Sequence, residues 1–226
     1  MMLSWTFEPD SPAEENMRRD HELMRAEAPC LRLYTWHPPA ISLGGSQKPD
    51  LLNLEACAEL GIAVVHRFTG GAAVLHKDDL TYAFFWPAGA APKLRAMEVR
   101  ERFSDAFLAT FRQFGVTAEE SRNAKWRMPE SAICFHGHAA HEILIQGKKV
   151  AGNAQRLTRD GIFQHGSILL ENTEPLFCRL VREAQEQGAM TGLREHCPGL
   201  HERDLALRLA AEVARAFGCD LATATA

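Results

Sequence analysis

The chain has 226 residues, 46 % of them hydrophobic, and a formal net charge of -4 at pH 7. This is enough apolar material for one substantial core, so we expect a single domain over residues 1–226. The acidic balance provides no basic face for nucleic acid. The N-terminus lacks the pattern of a secretory signal, and no apolar run is long enough for a membrane span. The composition predicts a cytoplasmic protein without nucleic-acid or membrane partners.

Six cysteines are spread through the chain without a CxxC pair: Cys30, Cys57, Cys134, Cys178, Cys197 and Cys219. Neither a disulfide framework nor a structural zinc site is predicted from such spacing. Most of them are expected to be small buried hydrophobic residues, and any exception must be argued from its neighbours.

The first half of the chain alternates short helices and strands. Helices are predicted over residues 12–28 and 50–60, and strands over residues 31–36, 40–43, 62–68, 72–75 and 80–86. The first two of these strands are expected to pair with each other. The last two flank a Lys77-Asp78-Asp79 turn, which predicts a hairpin.

A long amphipathic helix is predicted over residues 93–114, with Phe103, Phe107 and Phe111 forming a stripe that faces the core. Strands follow at residues 133–135, 142–145 and 149–155, with turns at Gln146-Gly147 and Asp160-Gly161. Helices over residues 174–186 and 201–217 precede a tail, residues 219–226, that is expected to fray. The irregular order of helices and mostly antiparallel strands predicts an α+β fold.

Two glycine-containing segments could bring the backbone close to a ligand. Gly70 and Gly71 follow a strand, and Arg67 could add a charged donor. A tight turn between strands explains this first segment about equally well, and the phosphate-binding P-loop pattern is absent from it. The second segment, residues 164–170, offers an imidazole and a hydroxyl, although satisfied hydrogen bonds in the core would explain it equally.

Lys149 lies among small residues in residues 146–156. Strict strand alternation would place Lys149 and Gly152 on opposite faces, and a lysine so flanked can reach into a pocket. Taken alone, a solvated hairpin with surface lysines is the simpler explanation.

The stretch from residue 134 to residue 141 is rich in histidine. In an extended chain Cys134, His136 and His138 would share a face that could bind zinc or copper. No cysteine pair or carboxylate signature completes the ligand set, so no metal is predicted, and metal binding by His136, His138 and His141 stays an open question. The alternative is that Cys134 is a nucleophile near a cation.

The four segments, together with Asn16-Met17, Asp20, residues 31–36, residues 38–44 and Gln47, resemble the lipoate-protein ligase and octanoyltransferase family. The resemblance also reaches residues 191–194, so it covers nearly the whole chain, and the order of several motifs makes it specific. It implies an α+β domain of the biotin/lipoate protein ligase catalytic type, with a mostly antiparallel mixed sheet flanked by helices.

Within that family the chain looks most like the octanoyltransferases of the Gram-positive type. In these a cysteine before a phenylalanine carries the acyl group, and a lysine in a GKKVAG-like segment lowers the pKa of that cysteine. The resemblance implies that Cys134 and Lys149 are the catalytic residues. It also implies an acyl site lined by Arg67, Gly70, Gly71, Ala72, Ala73, Val74, Leu75, His76, Gly152, Ala154, His165, Gly166 and Ser167.

The chain departs from the family pattern at three positions. His66 replaces the usual arginine, Ala72 replaces glycine or arginine, and Lys77 replaces an aspartate. The first two departures would weaken contact with a nucleotide phosphate.

The resemblance implies transfer of an octanoyl or lipoyl group from acyl carrier protein, through Cys134, to a lysine of a lipoyl domain or glycine cleavage H protein, with no cofactor. The alternative is a lipoate-protein ligase that uses ATP and Mg²⁺ and needs no cysteine. An amidotransferase acting between two carrier proteins would use Cys134 in the same way. A degenerate acyl-binding protein would need neither Cys134 nor Lys149, and biotin ligation is disfavoured because its glycine-arginine-rich loop is missing.

Overall fold

The structure is a computed structural model that describes residues 1–121, 132–137 and 140–223. The strands of these residues are β1 (Met2–Ser11), β2 (Cys30–Trp36), β3 (Ala40–Leu43), β4 (Ala63–His66), β5 (Val74–His76), β6 (Asp79–Pro87), β7 (Glu119–Glu120), β8 (Ile143–Ile145), β9 (Lys148–Leu157), β10 (Gly161–Leu169) and β11 (Asp220–Leu221). The α-helices are α1 (Ala13–Leu23), α2 (Leu54–Glu59), α3 (Ala96–Gln113), α4 (Glu174–Leu180), α5 (Leu193–His196) and α6 (Glu202–Phe217). Short 3-10 turns occur at Pro49–Leu51 and Cys134–His136.

The strands of the described ranges form two sheets. The larger has the order β11-β1-β2-β6-β10-β9-β8-β7, with parallel pairs only at β11-β1 and β1-β2, and the smaller has the order β4-β3-β5. Helices flank the sheets, so the predicted α+β fold with a mostly antiparallel mixed sheet is confirmed.

Opposite faces of the large sheet bury different sets of residues because side chains alternate along each strand. Leu31 and Leu33 of β2 pack with Phe103 and Phe107 of α3 and with Phe217 of α6, in the largest hydrophobic core. The predicted aromatic stripe of α3 is therefore in the core. The other face of β2 belongs to a separate cluster and faces the small sheet, which leaves room for a site between the two sheets.

Two predicted strand pairings are wrong. β2 pairs with β1 and β6, whereas β3 belongs to the small sheet. β5 and β6 are likewise in different sheets, so the Lys77-Asp78 turn does not close a hairpin. The backbone of Asp78 is left-handed there, with φ of 52°, and directs the chain from one sheet to the other. A local turn signal predicts a change of direction and does not determine the partner strand.

The chain ends pair with each other, which the sequence did not predict. β1, with Leu3 and Trp5 buried, lies in a segment for which no strand was expected. Asp220 and Leu221 of the expected frayed tail pair with Met2 and Leu3, so the tail is ordered at these two positions. Residues 224–226 lie outside the described ranges.

Several helices are shorter than predicted. α1 ends at Leu23, the segment from residue 50 to 60 divides into a 3-10 turn and α2, and α4 ends at Leu180. α6 ends at Phe217 and is capped by Gly218, whose φ of 66° is the left-handed conformation typical of a helix C-terminus. No helix within the described ranges is long and apolar enough to cross a membrane.

Candidate active site

A cavity lies between the two sheets and encloses about 500 Å³ of empty space, including the part open to solvent. Eleven residues proposed from the sequence line it: Arg67, Gly70, Gly71, Val74, His76, Cys134, Gly152, Ala154, His165, Gly166 and Ser167. Ala72, Ala73 and Leu75 are buried and do not line the cavity. Lys149 does not line the cavity and lies behind the lining residues, in contact with Cys134.

Seven further lining residues were not proposed as site residues: Met17, Tyr34, Trp36, Ser42, Thr81, Phe135 and Asn153. Tyr34 and Trp36 share one face of β2 by strand alternation, which is a signal the sequence did contain. These two residues line the site only because their face of β2 is the one that meets the small sheet. Which face does so is determined by pairing between strands that are distant in sequence.

Backbone hydrogen bonds to the small sheet fix the position of Cys134. The amide of Cys134 donates to the carbonyl of Ala73 at 2.9 Å, and the amide of Ala73 donates to the carbonyl of Ala132 at 2.9 Å. The next residue, Phe135, is buried in the core under the small sheet and anchors the turn. Residues 134–136 form a 3-10 turn and not the predicted strand, so Cys134 and His136 do not project from an extended chain.

Lys149 is fully buried beside Cys134. Its Nζ lies 3.9 Å from the Sγ of Cys134, donates to the carbonyl of Cys134 at 3.0 Å, and forms an ion pair with Glu142 at 2.5 Å. Burial by itself would lower the pKa of Lys149, but Cys134 and the Glu142 carboxylate together hold it above its ordinary value. The ammonium is therefore charged at neutral pH. Glu142 was not proposed as a site residue.

A β-bulge in β9 turns Lys149 toward the cysteine. Ile143 pairs with Ala151 and Leu144 with Lys149, so one extra residue is inserted on the β9 side. A bulge breaks the two-residue alternation, which is why the expected opposite orientation of Lys149 and Gly152 is wrong. A Cβ added at Gly152 would lie 2.9 Å from the Cε of Lys149, so the lysine side chain crosses the bare backbone of that glycine.

Arg67 hydrogen-bonds to the glycine loop, residues 69–72. Its guanidinium donates to the carbonyls of Ser42, Gly70 and Ala72 at 2.9, 3.0 and 2.7 Å. A Cβ on Gly71, whose φ is +99°, would come within 2.9 Å of this guanidinium. Burial lowers the pKa of Arg67, opposed by Cys134. Most of the donors of Arg67 are thus committed to the loop, although the side chain lines the cavity.

Two histidines face the cavity, each held by a buried carboxylate. The Nδ1 of His76 lies 2.9 Å from Asp79 and that of His165 lies 3.3 Å from Asp20. A carboxylate only accepts hydrogen bonds, so Nδ1 carries the proton and Nε2 presents its lone pair. Burial lowers the pKa of His165 against the opposing effect of Asp20, which keeps that imidazole neutral.

The Nε2 atoms of both histidines accept from hydroxyl groups. That of His76 is 2.9 Å from the Oγ of Ser42, and that of His165 is 2.6 Å from the Oγ1 of Thr69. Each imidazole is thereby fixed in orientation between a carboxylate and a hydroxyl.

The two histidines described in the 134–141 stretch, His136 and His141, do not line the cavity. The Nε2 of His136 contacts Glu174 at 3.0 Å, and the Nδ1 of His141 contacts Glu120 at 2.6 Å. His138 lies outside the described residues. Burial lowers the pKa of His136, opposed by Glu174.

Comparison with known proteins identifies the family. The lipoyl protein ligase A/B catalytic domain matches residues 12–210, and the chain belongs to this family. Its curated relatives include octanoyltransferase LipM from an Exiguobacterium species, 37 % identical over 93 % of this chain and 81 % of the relative. The corresponding protein of Geobacillus kaustophilus is 35 % identical over 78 % of this chain and 68 % of the relative.

Solved structures share the fold. The putative lipoate protein ligase Ta0514 from T. acidophilum, solved with bound lipoic acid, superposes with a TM-score of 0.81 at 15 % identity and covers 100 % of this chain and 90 % of its own. At that identity the likeness concerns the fold alone, which agrees with the fold type implied by the motifs.

Proposed function

We propose that this chain transfers an octanoyl group through a thioester on Cys134. The curated relatives are octanoyltransferases, and this chain is an octanoyltransferase of protein lipoylation. The observation that carries the cysteine route is the 3.9 Å approach of the buried Lys149 ammonium to the Cys134 sulfur. A cation at this distance favours the thiolate, which is the nucleophilic form of cysteine.

In the first step the Cys134 thiolate attacks the carbonyl carbon of an octanoyl thioester. A new carbon–sulfur bond forms, the bond to the sulfur of the donor breaks, and the donor thiolate takes a proton from solvent, equivalent to the one that Cys134 lost on forming its thiolate. The donor we propose is octanoyl-acyl carrier protein. Lys149 acts through its charge beside the sulfur, because its three N–H donors are occupied by the carbonyls of Cys134 and Gly137 and by the Glu142 carboxylate.

In the second step the amine of an acceptor lysine attacks the Cys134 thioester. An amide bond forms, the carbon–sulfur bond breaks, and the thiolate of Cys134 returns. The attacking nitrogen must lose a proton, and the Nε2 of His165 or His76 is suited to accept it, directly or through the hydroxyl that is bonded to it. The acceptor we propose is a lipoyl domain or glycine cleavage H protein.

No nucleotide takes part in these two steps, so transfer needs neither ATP nor Mg²⁺. The ATP-dependent ligase is the second candidate, because ligases share the fold. The bracing of the glycine loop by Arg67 favours transfer, since three of its hydrogen bonds go to protein carbonyls and would compete with an adenylate phosphate.

A transfer assay with a purified lipoyl domain tests the proposal. With octanoyl-acyl carrier protein and no ATP, we expect octanoylation by the wild-type chain and by Cys219→Ser, and none by Cys134→Ser. Cys219 is a matched control because it packs against the main hydrophobic core and does not line the cavity. Modification by Cys134→Ser that depends on ATP and free octanoate would establish a ligase and overturn the proposal.

A further inference from the structure

A second cluster of reactive side chains lies beside the turn that carries Cys134. It consists of His136 from that turn and of Glu174 and Cys178 from α4. The Nε2 of His136 is 3.0 Å from the Oε1 of Glu174 and 4.0 Å from the Sγ of Cys178. One ligand atom from each of the three residues lies within 4.8 Å of the other two.

Two side chains of the cluster are buried, and the third residue, Cys178, is half-buried. The side chains of His136 and Glu174 are 1 % and 3 % exposed. Glu174 and Cys178 are four residues apart in α4 and so share one side of the helix. The amide of Gln187 donates to the Oε1 of Glu174 at 2.8 Å, which fixes the carboxylate in the way that outer hydrogen bonds orient metal ligands.

The donor set suits a transition metal. Imidazole nitrogen, thiolate sulfur and carboxylate oxygen are the three ligand types of zinc, at about 2.0–2.3 Å from the ion. Tetrahedral geometry then separates ligand atoms by roughly 3.5 Å. The observed separations of 3.0 and 4.0 Å lie on either side of that value, so rotamer-scale movements would complete the site.

We propose that His136, Glu174 and Cys178 bind a divalent transition metal, with zinc as the preferred ion and the fourth position open. On binding, the Cys178 thiol releases its proton to solvent, and the metal replaces the hydrogen bond between His136 and Glu174. His136 is two residues after Cys134 in the same 3-10 turn. A bound metal therefore links the 3-10 turn that carries Cys134 to α4.

Titration of the full chain with Co²⁺ tests the ligand set without any activity readout. In Cys134→Ser, where the nucleophile cannot contribute a thiolate, we expect one equivalent of Co²⁺ to give thiolate-to-metal charge-transfer absorption, and Zn²⁺ to displace it. Adding Cys178→Ser should remove the absorption and weaken Zn²⁺ binding by at least about tenfold, because even outer-shell changes cost that much. Adding Cys219→Ser, the thiol-matched control, should leave both unchanged.

Alkylation mapping of the wild-type chain covers the case in which the double variant fails to fold. Zn²⁺ should slow alkylation of Cys178 and leave that of Cys219 unchanged. The proposal is overturned if Co²⁺ gives no charge-transfer absorption, if the absorption survives Cys178→Ser, or if Zn²⁺ gives Cys178 no protection. The cluster would then be a buried hydrogen-bonded pair with a neighbouring thiol.

Discussion

The ammonium of Lys149 lies 3.9 Å from the sulfur of Cys134, and no part of the lysine side chain is exposed. A charge buried this deeply is costly unless it is paired. Glu142 pairs with it at 2.5 Å, and the carbonyls of Cys134 and Gly137 accept from it at 3.0 and 3.3 Å. The buried pair thus holds a fixed positive charge beside the nucleophile.

Replacing Lys149 by methionine should slow acylation of Cys134 by about 10–10³-fold, because an opposite charge this close favours the ionised form of a group by that factor. The rate of Cys134 acylation is measured at a single pH by quenching the reaction at successive times. Lys149→Met also leaves Glu142 buried without its cation, so Lys149→Met/Glu142→Gln is the matched variant. It should recover stability but not the acylation rate. Wild-type acylation by either variant would contradict the role given to Lys149.

Replacing Glu142 by glutamine should lower the free energy of unfolding by about 3–5 kcal/mol, the usual cost of removing one partner of a buried ion pair. The pKa of Lys149 is raised in the folded protein, so its stabilising contribution is complete below its unfolded pKa of about 10.4 and is lost as pH rises through the folded pKa.

Without Glu142 the folded pKa of Lys149 falls, and the alkaline loss of stability should begin at a lower pH. Urea unfolding across alkaline pH measures this onset. An unchanged onset in Glu142→Gln would contradict the assignment of Glu142 as the counter-charge.

His165 should make the protein sensitive to mild acid. Burial lowers its folded pKa below the unfolded value of about 6.5, so on acidification the unfolded chain takes up the proton first and stability falls. In His165→Gln the free energy of unfolding should depend less steeply on pH between about 7 and 5. The measurement compares the slope of the unfolding free energy against pH. His201 is exposed, so the control variant His201→Gln should have the wild-type slope. Equal slopes in all three proteins would refute the assignment.

Gly152→Ala should displace the Lys149 ammonium, because the new methyl group would lie 2.9 Å from Cε and 3.2 Å from Nζ. A shift of about 1 Å in a catalytic group can cost about 10²-fold in rate. We expect that loss in the Cys134 acylation rate, with a smaller effect on thermal stability because the end of a lysine side chain can move. The control is Gly89→Ala, since a Cβ there meets nothing within 4 Å. A wild-type rate in Gly152→Ala would show that Lys149 tolerates displacement.

The fold class and most lining residues of the cavity were predictable from the sequence. The glycine loop, the 164–170 segment and Cys134 carry motifs whose order is specific, and eleven of the residues proposed from them line one cavity. Strand alternation and the spacing of Phe103, Phe107 and Phe111 report burial directly, because they follow from backbone geometry.

The charge partners were not predictable in the same way. Glu142 reaches Lys149 only because a bulge shifts the alternation of β9, and a bulge leaves no reliable mark in a single sequence. Asp20 meets His165 across 145 positions of sequence. Asp20 was noted only within the family resemblance. Such contacts depend on the strand order β2-β6-β10, which local turn signals do not determine.

The most direct measurement of the central claim is the intact mass of the protein after incubation with octanoyl-acyl carrier protein in the absence of ATP. The thioester route predicts a gain of one octanoyl group that hydroxylamine removes and that Cys134→Ser does not acquire. No adduct on the wild-type chain, together with octanoylation of a lipoyl domain only when ATP and free octanoate are supplied, would contradict it.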